Sequence, residues 1–513
     1  MLHMTIPYLL ERAARKYPDR EAVVSETGRL TYRQWLKNSD RLAWALHTIG
    51  VKKGDRVTTL FLNGRTVLEL YLALLKLGAV LVPLNMRLTA EEPSHIVKNS
   101  DASVFIYEHQ FRPIVDTVRR NTPRVNQWVV SGGEPDSEEA SLEALQGHNQ
   151  EGFAWPDLLE NDAACIMYTA GTTGKPKGVV HSHRTCTWAA AAAAAEVDLA
   201  PDYRVALVFP LFHVAAFALL VTNLYLGCTT VTVAKFDPAK LMETVQRARI
   251  NRLVFPPTVW NFILQLPDLN RYDTSSVRSL GSGAEPMLAH TKRRLMEVFP
   301  NAKLGETYGM TETMAVISTL KPSDVLEKTD SVGKPFHCVE VRIVDEQGCD
   351  LPAGHIGEIL VRGPNVTAGY YQNPQATKEA FTDGWLHTGD LGETDEDGFL
   401  YIRDRKKDMI ISGGENIYPR EIEEVLATHP KVQEVAVVGA PDPVWGQQVH
   451  ATVVLRPDVV CAQEEIILHC RNKLAGFKRP RSVTFVAALP RSPAGKVLKR
   501  VLRDDLAPDI SAP

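Results

Sequence analysis

Little in this chain is extreme, and what it lacks narrows the field. Cysteine is sparse and unorganised: seven thiols in 513 residues, an odd number with no Cys-x-x-Cys pair. That excludes a disulfide framework and suits a reducing compartment. Excess charge is missing too. The 57 basic and 61 acidic residues leave a net charge of −4, which argues against a nucleic-acid or polybasic membrane partner. The first twenty residues carry Glu11, Arg12, Arg15 and Lys16 and no apolar core of a signal peptide, so a cytoplasmic location is expected. There is no internal repeat, and the one low-complexity run, Ala189–Ala195, simply favours helix. One uncharged run, Val205–Leu226, is long enough to span a bilayer. Pro210 and His213 interrupt it, Asn223 follows, and no Lys/Arg asymmetry flanks it. It therefore predicts a buried strand, a turn at Pro210–His213 and a buried helix.

What is present is α/β grammar on a length sufficient for about three ordinary domains. Thr31-x-x-Gln34 is a capping box that opens a helix running toward Gly50. Val57–Leu62 reads as a strand, Thr66–Leu77 as a helix stopped by Gly78, and Ala79–Leu84 as a returning strand, which makes a βαβ unit. Val104–Tyr107 adds a strand, and the acidic stretch Ser131–Ser141 reads as a solvated loop. Asp237–Pro238 is an N-cap followed by proline at the first helical position. The character changes near Asp404–Asp408. Beyond it comes a compact pattern: helix Pro419–Thr428, strands Glu434–Gly439 and His450–Leu455, helix Gln463–Leu474 and strand Ser482–Val486. This predicts a small α+β domain on a charged linker.

The densest chemistry is Tyr168-Thr-Ala-Gly-Thr-Thr-Gly-Lys-Pro-Lys-Gly178, directly after the apolar run Ala163–Met167. Glycines let backbone N–H groups converge on an anion, threonines add donors and lysines neutralise charge. Such a loop holds a polyphosphate. It is not a Walker A loop, because Gly174–Lys175 is followed by Pro176 rather than Ser or Thr. Four further segments carry functional residue types: Gly305–Glu312 (GETYGMTE), Trp385–Asp390 (WLHTGD), Tyr401–Asp408 leading into Ser412–Asn416 (SGGEN), and Pro490–Lys496 (PRSPAGK).

Together, in this order and over nearly the whole chain, these segments resemble the adenylate-forming superfamily of acyl-CoA synthetases, peptide-synthetase adenylation domains and beetle luciferases. Gly413–Pro419 (GGENIYP) and Phe477–Lys478 are most similar to the fatty-acyl and aryl acyl-CoA ligases. The resemblance implies a large N-terminal α/β region, residues 1–403, a hinge at 404–408 and a small mobile α+β lid, 409–513. It implies a two-step reaction with ATP, Mg²⁺ and coenzyme A. A carboxylate attacks the α-phosphorus of ATP to give acyl-adenylate and pyrophosphate; the thiol of coenzyme A then expels AMP. The first step gathers negative charge around phosphorus and needs positioned donors and cations.

Carried over residue by residue, the resemblance puts Thr169, Gly171, Thr172, Thr173, Gly174, Lys175 and Lys177 around the β- and γ-phosphates. Thr311 would donate to the α-phosphate and Glu312 would hold Mg²⁺. Tyr308 would pack on adenine with Gly283, Ala284 and Glu285 along its edge, beside Glu306 and Thr307. Asp390 would accept from the ribose hydroxyls with help from Arg405. Lys496 would bridge carboxylate and α-phosphate, and Lys407 would be the pivot that presents and withdraws it. Gly413, Gly414 and Glu415 would line the coenzyme A channel. His213, which as a lone histidine in an apolar run also reads as a satisfied core residue, would stand beside the acyl carboxylate. Val214, Ala215, Phe217, Gly281 and Gly309 would line the acyl pocket. His181 and His183 read as structural at least as readily as functional.

Two positions depart from the pattern: Ala170 replaces the usual Ser, and Glu306 stands where Gln or Asn is common. No cation is evident near the pocket for a second carboxylate, whose unpaired burial would be costly, so a medium- or long-chain fatty acid is expected first and a cinnamic- or benzoic-type acid second. An amino-acid adenylation domain would want an acidic anchor for the ammonium group. Luciferase-like oxygen chemistry has no support, and a non-catalytic nucleotide sensor would show damage at Lys496, Glu312 or Asp390. A homodimer is expected.

Overall fold

The computed structural model describes residues 3–88, 91–145, 153–169, 176–285, 287–471, 473–491 and 497–506. It divides into two compact units, residues 1–341 with 361–386, and 342–360 with 387–513. No helix among the described residues is long and apolar enough to cross a membrane.

The first unit is built on two large sheets. One has seven strands in the order Glu139–Ser141, Gln127–Ser131, Val104–Glu108, Arg56–Leu60, Val80–Pro83, Ala163–Thr169, Lys177–Ser182. The expected βαβ unit is its centre. Arg56–Leu60 pairs parallel with Val80–Pro83 through the helix Arg65–Lys76, every residue of which from Val67 to Leu75 is buried. The enclosed stretch is apolar except for Glu69, whose carboxylate accepts from Asn38 Nδ2 at 2.7 Å and from Arg65 Nε at 3.2 Å. The capping box forms as the sequence predicts: Thr31 accepts from the Gln34 amide, and the Gln34 side chain accepts from the Thr31 amide at 2.9 Å.

The second sheet has nine strands, of which Thr229–Thr232, Arg204–Leu207, Arg252–Phe255, Ser279–Gly283 and Lys303–Tyr308 run parallel. The run Val205–Leu226 resolves into the strand Arg204–Leu207, a turn, and the helix Val214–Leu226, closed by Gly227 at φ 83°. Asp237 caps the helix Pro238–Ala248, accepting from the Lys240 amide at 2.9 Å. Ala189–Ala195 lies in the helix His183–Glu196.

One expectation fails here. Ser131–Ser141 is not a solvated loop throughout, because Glu139–Ser141 joins the seven-stranded sheet as its edge. The Glu139 side chain is fully buried. Its carboxylate accepts from Arg112 at 2.7 Å, from Tyr107 and from Arg119. Paired charges, not water, satisfy it.

In the second unit the strands Val432–Asp442 and Gly446–Leu455 pair antiparallel, and Ser482–Phe485 joins them parallel. The helix Pro419–Ala427 packs on this sheet through Ile422 and Leu426, with Val437, Ala451 and Ile466 in the same core. The helix expected over Gln463–Leu474 ends at His469; Cys470 and Leu474 stay buried in the turn that follows.

Candidate active site

Parallel strands deliver their loops to one edge, the place where open α/β sheets bind ligands. In the nine-stranded sheet the turn Pro210–His213, the residues Gly283–Glu285 and the run Tyr308–Glu312 all leave from that edge. Gly283 lies opposite Thr307, and a Cβ on it would come within 2.6 Å of the Thr307 carbonyl oxygen. Ala284 follows with φ 68°, a left-handed conformation that costs a non-glycine residue stability and recurs at ligand sites. Glu285 is exposed and accepts from Thr258 Oγ1 at 2.7 Å.

After Tyr308 the chain folds back sharply. Thr311–Thr313 forms one 3₁₀ turn, and Met314 and Ala315 both have positive φ, 50° and 61°. The fold-back passes so close to Gly309 that a Cβ there would sit 2.2 Å from the Ala315 carbonyl carbon. Only glycine fits at that position. Asn365, fully buried, holds the turn from below, its Nδ2 donating to the carbonyls of Thr313 at 2.8 Å and Val316 at 2.7 Å.

The two sheets meet at this turn. His181, on the strand Lys177–Ser182, reaches the Thr311 carbonyl through Nε2 at 2.8 Å and Thr185 Oγ1 through Nδ1 at 3.2 Å. Burial lowers its imidazole from 6.5 to about 4, so at neutral pH the ring is uncharged and Nε2–H donates to the carbonyl. The Glu312 amide carbonyl accepts from Thr367 N–H at 2.8 Å, and its buried side chain accepts at Oε1 from Tyr370 O–H at 2.8 Å. Burial, followed by the Glu312 charge, pushes the Tyr370 phenol upward, which keeps it a donor. Lys177 Nζ lies 5.1 Å from the centre of the Tyr370 ring, within cation–π range. Thr169 stands opposite Lys177 in the antiparallel pair that brackets the glycine-threonine loop. The structure therefore gathers the mouth of that loop, Thr311 and Glu312. Gly171, Thr172, Thr173, Gly174 and Lys175 lie outside the described residues, as does Lys496.

Tyr370 and Asn365 were not among the residues the sequence singled out. Nothing local marks them, since both act across about fifty residues of chain. Glu306 was marked, as a departure, and its partner is Lys292, a lysine at 1 % exposure whose ammonium pairs with the Glu306 carboxylate and donates to the Thr329 carbonyl. A carboxylate in place of an amide has called for a buried cation.

His213 is the N-cap of the helix Val214–Leu226; Nδ1 accepts from the Ala215 amide at 3.3 Å, and the ring stacks on Phe209 at 5.8 Å. Val214 is buried and Ala215 half-buried. Phe217 points into the core, 6.3 Å from Tyr71. Gly281 is buried mid-strand, its carbonyl accepting from Trp260 Nε1 at 3.2 Å.

The second unit carries its own cluster. Asp390 and Arg405 face each other across an antiparallel pair, and Arg405 Nε meets Asp390 Oδ1 at 2.7 Å. The carboxylate is buried with its amide donating to Thr388 Oγ1 at 3.0 Å. Lys407 is exposed between Lys406, which pairs with Glu358 at 2.9 Å, and Asp408, which pairs with Arg503 at 2.9 Å. Gly413 and Gly414, at φ 60° and 87°, make the two-residue turn between Ile410–Ser412 and Glu415–Ile417. Gly413 N–H donates to the Trp445 carbonyl at 2.9 Å, and a Cβ there would meet the Trp445 ring at 2.6 Å.

This chain belongs to the AMP-binding enzyme family, whose pattern it matches over residues 10–371, with the AMP-binding enzyme C-terminal domain over 421–496. It is an acid–thiol ligase of the AMP-forming class, a class whose reaction takes ATP, Mg²⁺ and coenzyme A. It is 35 % identical to a long-chain-fatty-acid–CoA ligase of Mycobacterium tuberculosis, over 98 % of this chain and 99 % of that one. It is 37 % identical to a feruloyl-CoA synthase of an Amycolatopsis species, over 96 % and 97 %. Among solved structures, an anthranilate CoA ligase in complex with anthranoyl-AMP superposes with a TM-score of 0.90 at 27 % identity, covering 99 % of this chain and 98 % of the other. The relatives include both alkyl and aryl acids in their names, and the class is common to them.

Proposed function

We propose that the protein joins an apolar carboxylic acid to coenzyme A, with a medium- or long-chain fatty acid as the substrate. The reading rests on one observation above all: the Tyr370–Glu312 hydrogen bond beside Lys177, at the mouth of the glycine-threonine loop. A polyphosphate on that loop would meet a cation and an oriented carboxylate together. Glu312 has the chemistry that suits magnesium, a buried oxygen ligand with one oxygen already oriented. Bound there, the ion would neutralise charge on the phosphates. His181 fixes the Thr311 backbone, and with it the hydroxyl we assign to the α-phosphate. Asp390, oriented by Arg405, supplies the acceptor we assign to the ribose, and Lys496 the cation that bridges the two reacting groups.

For the acid, the wall we assign to it, Val214, Ala215, Gly281 and Gly309, is small and uncharged, which supports an alkyl chain. An aryl acid is the second reading, favoured by the 37 % identity to a feruloyl-CoA synthase. Pyrophosphate release over a panel of octanoate, palmitate, benzoate and ferulate, with and without coenzyme A, separates them. Turnover with ferulate or benzoate in preference to both alkyl acids overturns the fatty-acid assignment, and no acid-dependent release overturns the whole reading.

A further inference from the structure

Among the described residues, one cluster of ligating side chains stands outside the proposed adenylation site. His429 follows the helix Pro419–Ala427, Cys461 precedes the helix Gln463–His469, and Glu465 lies in that helix's first turn. We propose that His429, Cys461 and Glu465 form a binding site for a borderline-soft divalent cation, zinc foremost, within the second unit.

The geometry carries the inference. One ligand atom from each residue lies within 4.8 Å of the other two. His429 Nε2 and Glu465 Oε1 are 3.6 Å apart; two donors each about 2.0–2.1 Å from a tetrahedral zinc stand roughly 3.3 Å apart, so the pair needs a shift of a few tenths of an ångström. Imidazole, thiolate and carboxylate are the mixed N/S/O set that zinc accepts and that magnesium and calcium do not. His429 and Cys461 are buried at 5 % and 8 % exposure, whereas the Glu465 side chain is 40 % exposed. That opening gives the ion an entry path and gives water the fourth position.

The surroundings orient the ligands. Lys431 Nζ holds Glu465 Oε2 at 2.9 Å, which leaves Oε1, the oxygen toward His429, for the metal; such outer contacts steer ligating carboxylates. Two features lower the affinity. Coordination through Nε2 places the imidazole proton on Nδ1 and gives up the long 3.3 Å bond from the Lys431 amide. The ammonium groups of Lys431 and Lys473, the latter 2.8 Å from His469 Nε2, repel a cation. The site is therefore weaker than a closed four-ligand structural zinc. It joins the end of one helix to the start of another, so occupancy should raise the thermal midpoint of the unit that carries it.

Cobalt titration of the full-length protein tests this, because a thiolate-bound, tetrahedral Co²⁺ gives a near-ultraviolet charge-transfer band and strong visible absorption. One equivalent should produce both, Zn²⁺ should displace them, and Cys461→Ser should abolish the charge-transfer band. His429→Gln and Glu465→Gln should each weaken binding by at least about 10- to 100-fold, the scale for supporting contacts of a metal site, with circular dichroism confirming that each variant is folded. Glu465 is half-exposed, so Glu465→Gln keeps the test open should the buried variants fail to fold. No band in the native protein, a band that survives in Cys461→Ser, or a band indifferent to Glu465→Gln overturns the site.

Discussion

Acid should weaken the first unit through two histidines that the chemistry does not titrate. His181 and His183 are both at 0 % exposure, and burial lowers each imidazole from 6.5 to about 4. In the unfolded chain they titrate near 6.5. Between pH 6.5 and about 4 the unfolded chain therefore binds protons that the folded one refuses. Stability is full above 6.5 and declines as pH falls toward 4. At pH 5 the loss is about 2 kcal/mol for each imidazole, or about 4 kcal/mol for the pair, a large part of the ~5–15 kcal/mol that holds a domain together. Urea unfolding of the native protein and of His181→Gln/His183→Gln at pH 8 and pH 5 reads this directly. Glutamine does not titrate, so whatever the double variant loses at pH 8, its disadvantage should shrink by about 4 kcal/mol at pH 5. A disadvantage equal at both pH values refutes the linkage.

Three further outcomes are expected. Lys496→Ala should slow adenylation by about 10²–10³-fold, the scale for one transition-state donor, and leave thioester formation from supplied acyl-adenylate largely intact; equal loss in both half-reactions, read by rapid quench, contradicts the assignment. Gly309→Ala forces a Cβ to 2.2 Å from the Ala315 carbonyl carbon, so it should cost about 1–3 kcal/mol of stability and about 10²-fold in ATP–pyrophosphate exchange as Thr311 and Glu312 shift; unchanged exchange would sink the close-approach argument. Lys407→Pro fixes φ and should slow multiple turnover more than either isolated half-reaction; undiminished turnover removes Lys407 as the pivot.

Where local chemistry decides structure, the sequence was readable. The Thr31–Gln34 capping box, the Asp237 cap and the division of Val205–Leu226 into strand, turn and helix all follow from residues within four positions of one another. Long-range charge was not readable. Ser131–Ser141 has the composition of a solvated loop, yet Glu139 is buried because Arg112 and Arg119, twenty or more residues earlier, converge on it. Tyr370 and Asn365 support the site from a segment without a conspicuous motif, 58 and 52 residues beyond their partners. Glu306 did leave a trace, a carboxylate where an amide is usual. A search for its cation among nearby helices would have reached Lys292 on Ala289–Val298.

The central claim is that a carboxylate oxygen of the acid attacks the α-phosphorus of ATP. Carboxylate labelled with heavy oxygen, incubated with the enzyme, Mg²⁺, ATP and coenzyme A, measures that step by mass spectrometry of the nucleotide released. One labelled oxygen should appear in each AMP phosphate, because the bond that forms to phosphorus leaves its oxygen there when the thiol takes the acyl group. AMP without label, or ADP in its place, would contradict the account.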